Sequence, residues 1–275
     1  MIEKIFIATS TFGVHSKEPI KILEDESKDF NFNPLSRKLT SNELIKFAHD
    51  SNGIVAGTEL YTKEVIDQLP HLKVISRLGI GMDNIDQDVA KKKGIYLFKT
   101  QTTPAPAVAE LVLGFMLDLA RKINYQNNTL KSGVWKKQMG NLLHGKTLGI
   151  IGLGTIGKTL VKLVKGFNFN IRAFDLFQDK KFAKKFDVKY CDLDTLLSES
   201  DIISIHLNLT EETNQLMNAS QIRKMKQDSI LINTSRGEMI DEGALYKALK
   251  EKKILGAGLD VFNDEPYSGA LTELE

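Results

Sequence analysis

A glycine string set between a short apolar run and an amphipathic run leaves a chain few folds to choose from. Gly152-Leu153-Gly154-Thr155-Ile156-Gly157 follows the strand-like run Thr147–Ile151 and opens a helical pattern over Ile156–Lys165. Each glycine in this spacing has its own physical task. The first makes a tight turn, the second lets backbone approach a pyrophosphate, and the third lets helix and strand pack closely. The first helical turn, with Thr155 and Ile156, then presents unpaired N–H groups to the phosphates.

Asp175 ends the next apolar run, Ile171–Phe174, and lies 18 residues after Gly157. That is near the ~20 residues expected of the acid that hydrogen-bonds an adenosine ribose 2′-hydroxyl. A carboxylate there repels a 2′-phosphate, so the spacing predicts NAD rather than NADP. Lys180 and Lys181 follow on what reads as a solvated helix. A glycine turn without cofactor is the competing reading, and the strand, helix and acid in register argue against it.

The alternation continues with strand runs Val188–Tyr190, Ile202–Ile205, Ile230–Ile232 and Leu255–Leu259. Helical patterns intervene at Asp194–Leu197, Ala219–Lys224 and Glu242–Lys250. Strands separated by helices pair in parallel, because a parallel crossover needs a long connection. Six such strands predict a doubly wound sheet of order 3-2-1-4-5-6, with ligand across the carboxyl ends. His206, Thr234 and Arg236, and Asp260 follow the fourth, fifth and sixth strands and are expected to face the nicotinamide half. Arg236 offers a guanidinium fork that matches a carboxylate.

The first third repeats the pattern with a different set. Strand runs are Ile5–Ala8, Asp29–Phe32, Ile54–Ala56, Val74–Ser76 and Ile95–Phe98, with helices near Glu18–Glu26, Ser41–Ala48 and Lys63–Gln68. Thr40-Ser41-Asn42-Glu43 has capping-box spacing. Thr102-Thr103-Pro104-Ala105-Pro106 interrupts the pattern, since prolines exclude regular structure just before them and suit a helix's first turn. The domain boundary is placed there, giving residues 1–101 and 102–275. A long helix over Ala107–Ile123 follows, and Asn124–His144 reads as a polar arm or subunit contact.

Lys+Arg 37 against Asp+Glu 35 leaves +2, no electrostatic reason to expect nucleic acid or an anionic membrane. One cysteine, Cys191, excludes an internal disulfide and a cysteine zinc cluster. The run 1–8 reads as a buried strand rather than a signal, and Glu110 and Asp118 interrupt the longest apolar helix, so a cytoplasmic protein is expected.

Several separated motifs together resemble the D-2-hydroxyacid dehydrogenase family, and its phosphoglycerate dehydrogenases in particular. Ser76-Arg77-Leu78-Gly79-Ile80-Gly81-Met82-Asp83-Asn84-Ile85-Asp86 resembles the family's substrate loop. Asn233-Thr234-Ser235-Arg236-Gly237 resembles the segment of the catalytic arginine, and Gly258–Pro266 the segment of a nicotinamide-contacting aspartate, Asp260, and a catalytic glutamate, Glu265. Ala107-Val108-Ala109-Glu110-Leu111 resembles the helix that joins the two domains and contributes to a homodimer.

The resemblance implies an α/β protein of two domains, a flavodoxin-like substrate domain and a Rossmann NAD-binding domain. It implies hydride transfer between NAD(H) and a small 2-hydroxy or 2-oxo acid. D-3-phosphoglycerate is the best single substrate, which would place the chain in serine biosynthesis. Arg77, Gly79, Ile80 and Gly81 would bind substrate, and Arg236 would polarise the 2-oxo acid. Glu265 would raise the pKa of a paired histidine. That histidine belongs to a Thr-Pro-His-type segment soon after the glutamate, and none of His15, His49, His71, His144 or His206 matches it. The expectation is a chain that stops before this histidine and before the family's C-terminal return helix. A shortened gene product, a cloned piece and a degenerate paralogue all remain open.

Arg37 and Arg77 are candidate anion contacts that suit 3-phosphoglycerate, with surface charge as the equal alternative. The Thr9-Ser10-Thr11-Phe12-Gly13 turn is a further candidate at a strand end. The competing function is a non-catalytic NAD-binding regulatory module, which shares the glycine turn and has no need of Arg236.

Overall fold

The computed structural model describes residues 3–26 and 29–274. Of the run 1–8, Met1 and Ile2 therefore lie outside the described residues. The chain divides into two compact units, Met1–Thr103 and Pro104–Glu275.

In the first unit β1 (Lys4–Ile7), β2 (Asp29–Phe32), β3 (Gly53–Ala56), β4 (Val74–Arg77) and β5 (Tyr96–Lys99) form one parallel sheet. Its order is β2-β1-β3-β4-β5, the flavodoxin-like arrangement. Phe6, Ile54, Ala56 and Ile75 from the strands pack with Leu44, Ala48, Val65 and Ile66 from two helices. Each large aliphatic side chain so buried contributes about 1.5–3 kcal/mol. The capping box forms: Thr40 Oγ1 accepts from the Glu43 N–H at 3.4 Å, and Glu43 Oε2 accepts from the Thr40 N–H at 3.0 Å. One helix was not anticipated, Gln87–Lys92. Six residues are too few to show an apolar stripe, and its one local signal is the Asp86 carboxylate accepting from the Val89 N–H.

The second unit holds β6 (Thr147–Ile151), β7 (Asn170–Phe174), β8 (Val188–Tyr190), β9 (Ile202–Ile205), β10 (Ile230–Asn233) and β11 (Gly256–Leu259). Their order, β11-β10-β9-β6-β7-β8, is 3-2-1-4-5-6 read from the other edge. Side chains alternate along each strand, so the sheet has two apolar faces. Ile150, Ile202, Ile230 and Ile232 pack with Ala109, Val112, Met116 and Leu160 on one side. Ile151, Ile203, Ile205 and Leu231 pack with Leu196, Ile222 and Leu245 on the other.

The long helix runs Ala105–Arg121, starting two residues earlier than expected because Pro104 takes the N-cap position and Pro106 fits its first turn. It ends at Lys122, a left-handed residue of φ 55°. Asp118 organises the break: its carbonyl accepts from the Lys122 N–H and its carboxylate from the Asn124 N–H at 2.7 Å. A second helix, Ile123–Lys131, then occupies part of the stretch read as an arm.

Candidate active site

Parallel strands end together, so the residues that follow β6, β7, β9, β10 and β11 share one edge of the second sheet. Gly152 follows β6 with φ 96°, a conformation that L side chains rarely adopt. A Cβ there would also lie 2.7 Å from the His206 carbonyl oxygen. A Cβ on Gly157 would lie 2.5 Å from the Gly152 carbonyl oxygen, so the third glycine is required by helix-to-turn packing. Gly154 is different. Its φ is −76°, and a Cβ there would meet no atom within 4 Å. Neither backbone angle nor neighbouring protein calls for glycine at 154, and the open space beside it fits a phosphate lying against the N-terminus of helix Thr155–Leu163.

Asp175 follows β7 and is half-buried. Its Oδ2 accepts from the Leu153 N–H at 2.7 Å, which fixes the carboxylate beside the glycine turn. Oδ1 accepts from the Phe177 N–H at 2.8 Å. Each oxygen keeps acceptor capacity for a ribose hydroxyl. Lys180 lies in the helix Lys180–Phe186, capped by Asp179.

Behind β9 and β10 stand two polar atoms with no hydrogen-bond partner, His206 Nδ1 and Thr234 Oγ1, both buried. His206 Nε2 is 3.0 Å from Ser204 Oγ. Burial drives the imidazole pKa down to about 4, so the ring is neutral at ordinary pH. Ser204 is fully buried and was not among the residues the sequence singled out. Its only sequence signal is the two-residue spacing from His206 on one strand.

Arg236 is half-buried and donates from Nη1 to the Ser235 carbonyl at 2.7 Å. The turn that carries it is pinned on both sides. Asn233 Nδ2 donates to the Arg236 carbonyl at 2.8 Å, and Ser235 Oγ to the Ile205 carbonyl at 2.8 Å. Gly237 then runs so close to the next segment that a Cβ would lie 2.0 Å from the Phe262 carbonyl carbon. The Arg236 turn and the Asp260–Glu265 segment are thus in backbone contact. Asp260 donates its N–H to the Asn233 carbonyl at 3.1 Å. Burial, and then the charge of Glu265, raise its carboxyl pKa. Glu265 is exposed and accepts from the Phe262 N–H at 3.2 Å. A separate groove of about 1220 Å³, lined by Phe115, Leu119, Tyr125, Gly256 and Tyr267, shares no residue with the glycine turn.

In the first unit, Arg77 ends β4 and folds over its own loop. It donates from Nη1 to the Leu78 carbonyl and from Nε to Asn84 Oδ1 at 3.4 Å. The Gly79 N–H donates to Thr100 Oγ1 at 3.0 Å, whereas the N–H groups of Ile80 and Gly81 are left open among the described residues. Arg37, the other candidate anion contact, forms a two-pronged ion pair with Glu43 at 2.9 and 2.7 Å. That pairing, helped by the Thr40 cap, holds the Glu43 carboxyl at about 2. The Thr9 and Thr11 hydroxyls bond each other at 3.1 Å.

Residues 113–275 match the family model described as D-isomer specific 2-hydroxyacid dehydrogenase, NAD binding domain. The D-3-phosphoglycerate dehydrogenase of Methanocaldococcus jannaschii is 41% identical over 255 residues, 91% of this chain and 48% of that protein. The chain therefore spans about half the length of that relative. The hydroxypyruvate reductase of Thermotoga maritima is 41% identical over 263 residues, 93% of this chain and 84% of that protein. The solved D-lactate dehydrogenase from Aquifex aeolicus, complexed with NAD and lactic acid, superposes with a TM-score of 0.81 at 30% identity. That match covers 96% of this chain and 78% of the other.

Proposed function

The chain belongs to the D-isomer specific 2-hydroxyacid dehydrogenase family, and from that premise we propose that it interconverts a 2-oxo acid and its D-2-hydroxy acid. One observation carries the reading: at a single sheet edge the open side of Gly154 accompanies an Arg236 turn packed on the Asp260–Glu265 segment.

NAD, when bound, supplies the acceptor or donor of the hydride. Gly152, Gly154 and Gly157, with the N–H groups of Thr155 and Ile156, hold the pyrophosphate, and Asp175 holds the ribose. His206, Thr234 and Asp260 line the nicotinamide half. Arg236 binds and polarises the oxo acid, its direction fixed by the Asn233 and Ser235 bonds. The open N–H groups of Ile80 and Gly81 suit a substrate carboxylate. The resemblance pairs Glu265 with a histidine of a Thr-Pro-His-type segment, and the 275 residues hold no such segment.

For the substrate, the Methanocaldococcus relative supports D-3-phosphoglycerate and the Thermotoga relative supports hydroxypyruvate. The pairing of Arg37 with Glu43 removes one of two candidate phosphate contacts and favours the unphosphorylated acid. We also infer a homodimer in the cytoplasm; no described helix is long and apolar enough to cross a membrane.

The test is NADH oxidation with hydroxypyruvate, 3-phosphohydroxypyruvate and pyruvate, alongside NADH binding followed by energy transfer from Trp135. Removing a donor aimed at developing negative charge costs ~10²–10³-fold, so Arg236→Ala should lower kcat/KM by that factor and leave NADH affinity nearly unchanged. A non-catalytic module would show NADH binding and no effect of Arg236→Ala on any acid. Failure to bind NADH at about millimolar concentration ends the cofactor reading.

A further inference from the structure

Ser204 and His206 are two residues apart at the end of β9, so they stand on the same face of the sheet. In the parallel register Asn233 of β10 lies opposite Ile205, the last pair of the two strands, and the same register carried one residue further sets Thr234 beside His206. The same face carries Ile202, Ile230 and Ile232 and is covered by Ala109, Val112 and Met116. Three polar side chains are therefore set into the end of one apolar wall. Ser204 Oγ is paired with His206 Nε2 at 3.0 Å, while His206 Nδ1 and Thr234 Oγ1, on the residues that follow the last β9–β10 pair, are buried and unpaired.

The chemistry of the three groups is complementary. A neutral imidazole has one donor and one acceptor nitrogen, and a hydroxyl serves as either. A hydroxyl–imidazole–hydroxyl row is consequently closed in both tautomers once Nδ1 and Oγ1 meet. Leaving two such groups buried and open is unfavourable, and native structures rarely do so.

The row also touches both halves of the site. The His206 carbonyl fills the space that a Gly152 side chain would need. Thr234 opens the turn that carries Arg236, which Asn233 and Ser235 tie to β9 and to itself.

We propose that Ser204, His206 and Thr234 form a positioning row that sets the spacing of the β9 and β10 ends, and that its His206–Thr234 link closes when the dinucleotide is bound. Arg236 is thereby aligned with the glycine turn by side chains that need not touch the oxo acid. Ser204 acts through His206, and His206 acts through Thr234. The inference rests on the cofactor reading given above.

The experiment is nitrogen NMR of the histidine rings in the full chain, with and without NADH. The His206 signals are identified by their loss in His206→Gln. In the parent, one ring nitrogen should be protonated and the other not, and NADH should shift the Nδ1 signal. Thr234→Val keeps shape and removes the hydroxyl. It should abolish the Nδ1 shift and weaken NADH binding about 3–10-fold, the worth of one neutral hydrogen bond. Thr234→Ser should restore both, which a purely steric role for Thr234 would not produce. Ser204→Ala should move the Nε2 signal with and without NADH.

NADH binding to the parent without any Nδ1 shift overturns the row alone. So does a Thr234→Val protein with the parental shift and affinity. Absence of NADH binding in the parent overturns the cofactor reading, and this inference with it.

Discussion

Two parallel sheets in this chain end in glycine-containing loops, and the loops solve opposite problems. In the first unit the Arg77–Gly79 part of the loop is satisfied by its own neighbours, with the Ile80 and Gly81 N–H groups left open beyond it among the described residues: Arg77 bonds the Leu78 carbonyl, and Gly79 bonds Thr100. Asn84 ties the loop to the Gly57 and Glu59 carbonyls at 3.1 and 2.7 Å. In the second unit the Gly152–Gly157 turn leaves the side of Gly154 empty, and the strand ends beside it keep two buried polar atoms unpaired. A loop that closes its own hydrogen bonds is a shaped surface. A turn whose unpaired groups and empty volume lie together is built around something the protein does not supply.

The largest effect should separate glycines that the protein needs from the one that a ligand needs. At Gly237 an added methyl meets backbone, not a movable side chain, at 2.0 Å. Gly237→Ala should therefore destabilise at the upper end of the about 1–3 kcal/mol typical of overpacking, and Arg236-dependent turnover should fall with it. A variant with parental Tm would mean that the two segments are not in contact. Gly154→Val should do the reverse. Its Tm should stay near the parent's, while NADH affinity falls about 10–100-fold, the worth of one charge-assisted hydrogen bond lost through blocked approach. Equal losses of stability in both variants would erase the distinction drawn here.

Legibility in the sequence followed the range of the interaction that decides each feature. Alternation of apolar runs gave the strand Thr147–Ile151 and the helix Ser41–Ala48, because each depends on patterns within a few residues, whereas the flavodoxin-like order of the first sheet was implied only by the family resemblance. The glycine spacing and Asp175 were readable for the same reason. The contact between Gly237 and Phe262 was not, since only the folded sheet brings β10 and β11 side by side. Ser204 was missed because a serine in an apolar run carries no mark of the histidine it will meet. Arg37 and Glu43 lie six residues apart, and of the two readings of Arg37, anion contact or surface charge, the pairing with the capping carboxylate favours the second.

A smaller effect distinguishes the units by pH. Burial sets the folded pKa of His206 at about 4, below its ordinary 6.5. As pH falls the unfolded chain binds this proton first, so stability held at neutral pH is lost from about 6.5 down to about 4. The ion-paired Glu43 and Asp67 of the first unit lose their contribution at lower pH, from the ordinary carboxylate values of 4.5 and 3.8 down to about 2. Urea unfolding at about pH 7 and about pH 5.5 should show a loss of about 1 kcal/mol in the parent that His206→Gln removes. Parallel pH slopes for the two proteins would place the imidazole in contact with water.

The smallest predicted change probes the self-satisfied loop. Thr100 Oγ1 is the acceptor for the Gly79 N–H at 3.0 Å, and the Thr100 N–H in turn bonds the Arg77 and Gly79 carbonyls. Thr100→Val keeps the backbone bonds and removes only the hydroxyl, at a cost of about 0.5–1.5 kcal/mol. Thr100→Val leaves the residues of the Gly152–Gly157 turn and Asp175 unchanged, so NADH affinity should not move. KM for the oxo acid is the discriminating quantity. If the loop presents its N–H groups to a carboxylate, the Gly79 N–H, left with only its 3.0 Å bond to the Arg77 carbonyl, gains capacity to donate, and KM should stay level or fall despite the lower stability. A rise in KM would show that the Thr100 bond is what holds the loop in its binding shape. The first unit would then depend on being closed as fully as the second depends on being open.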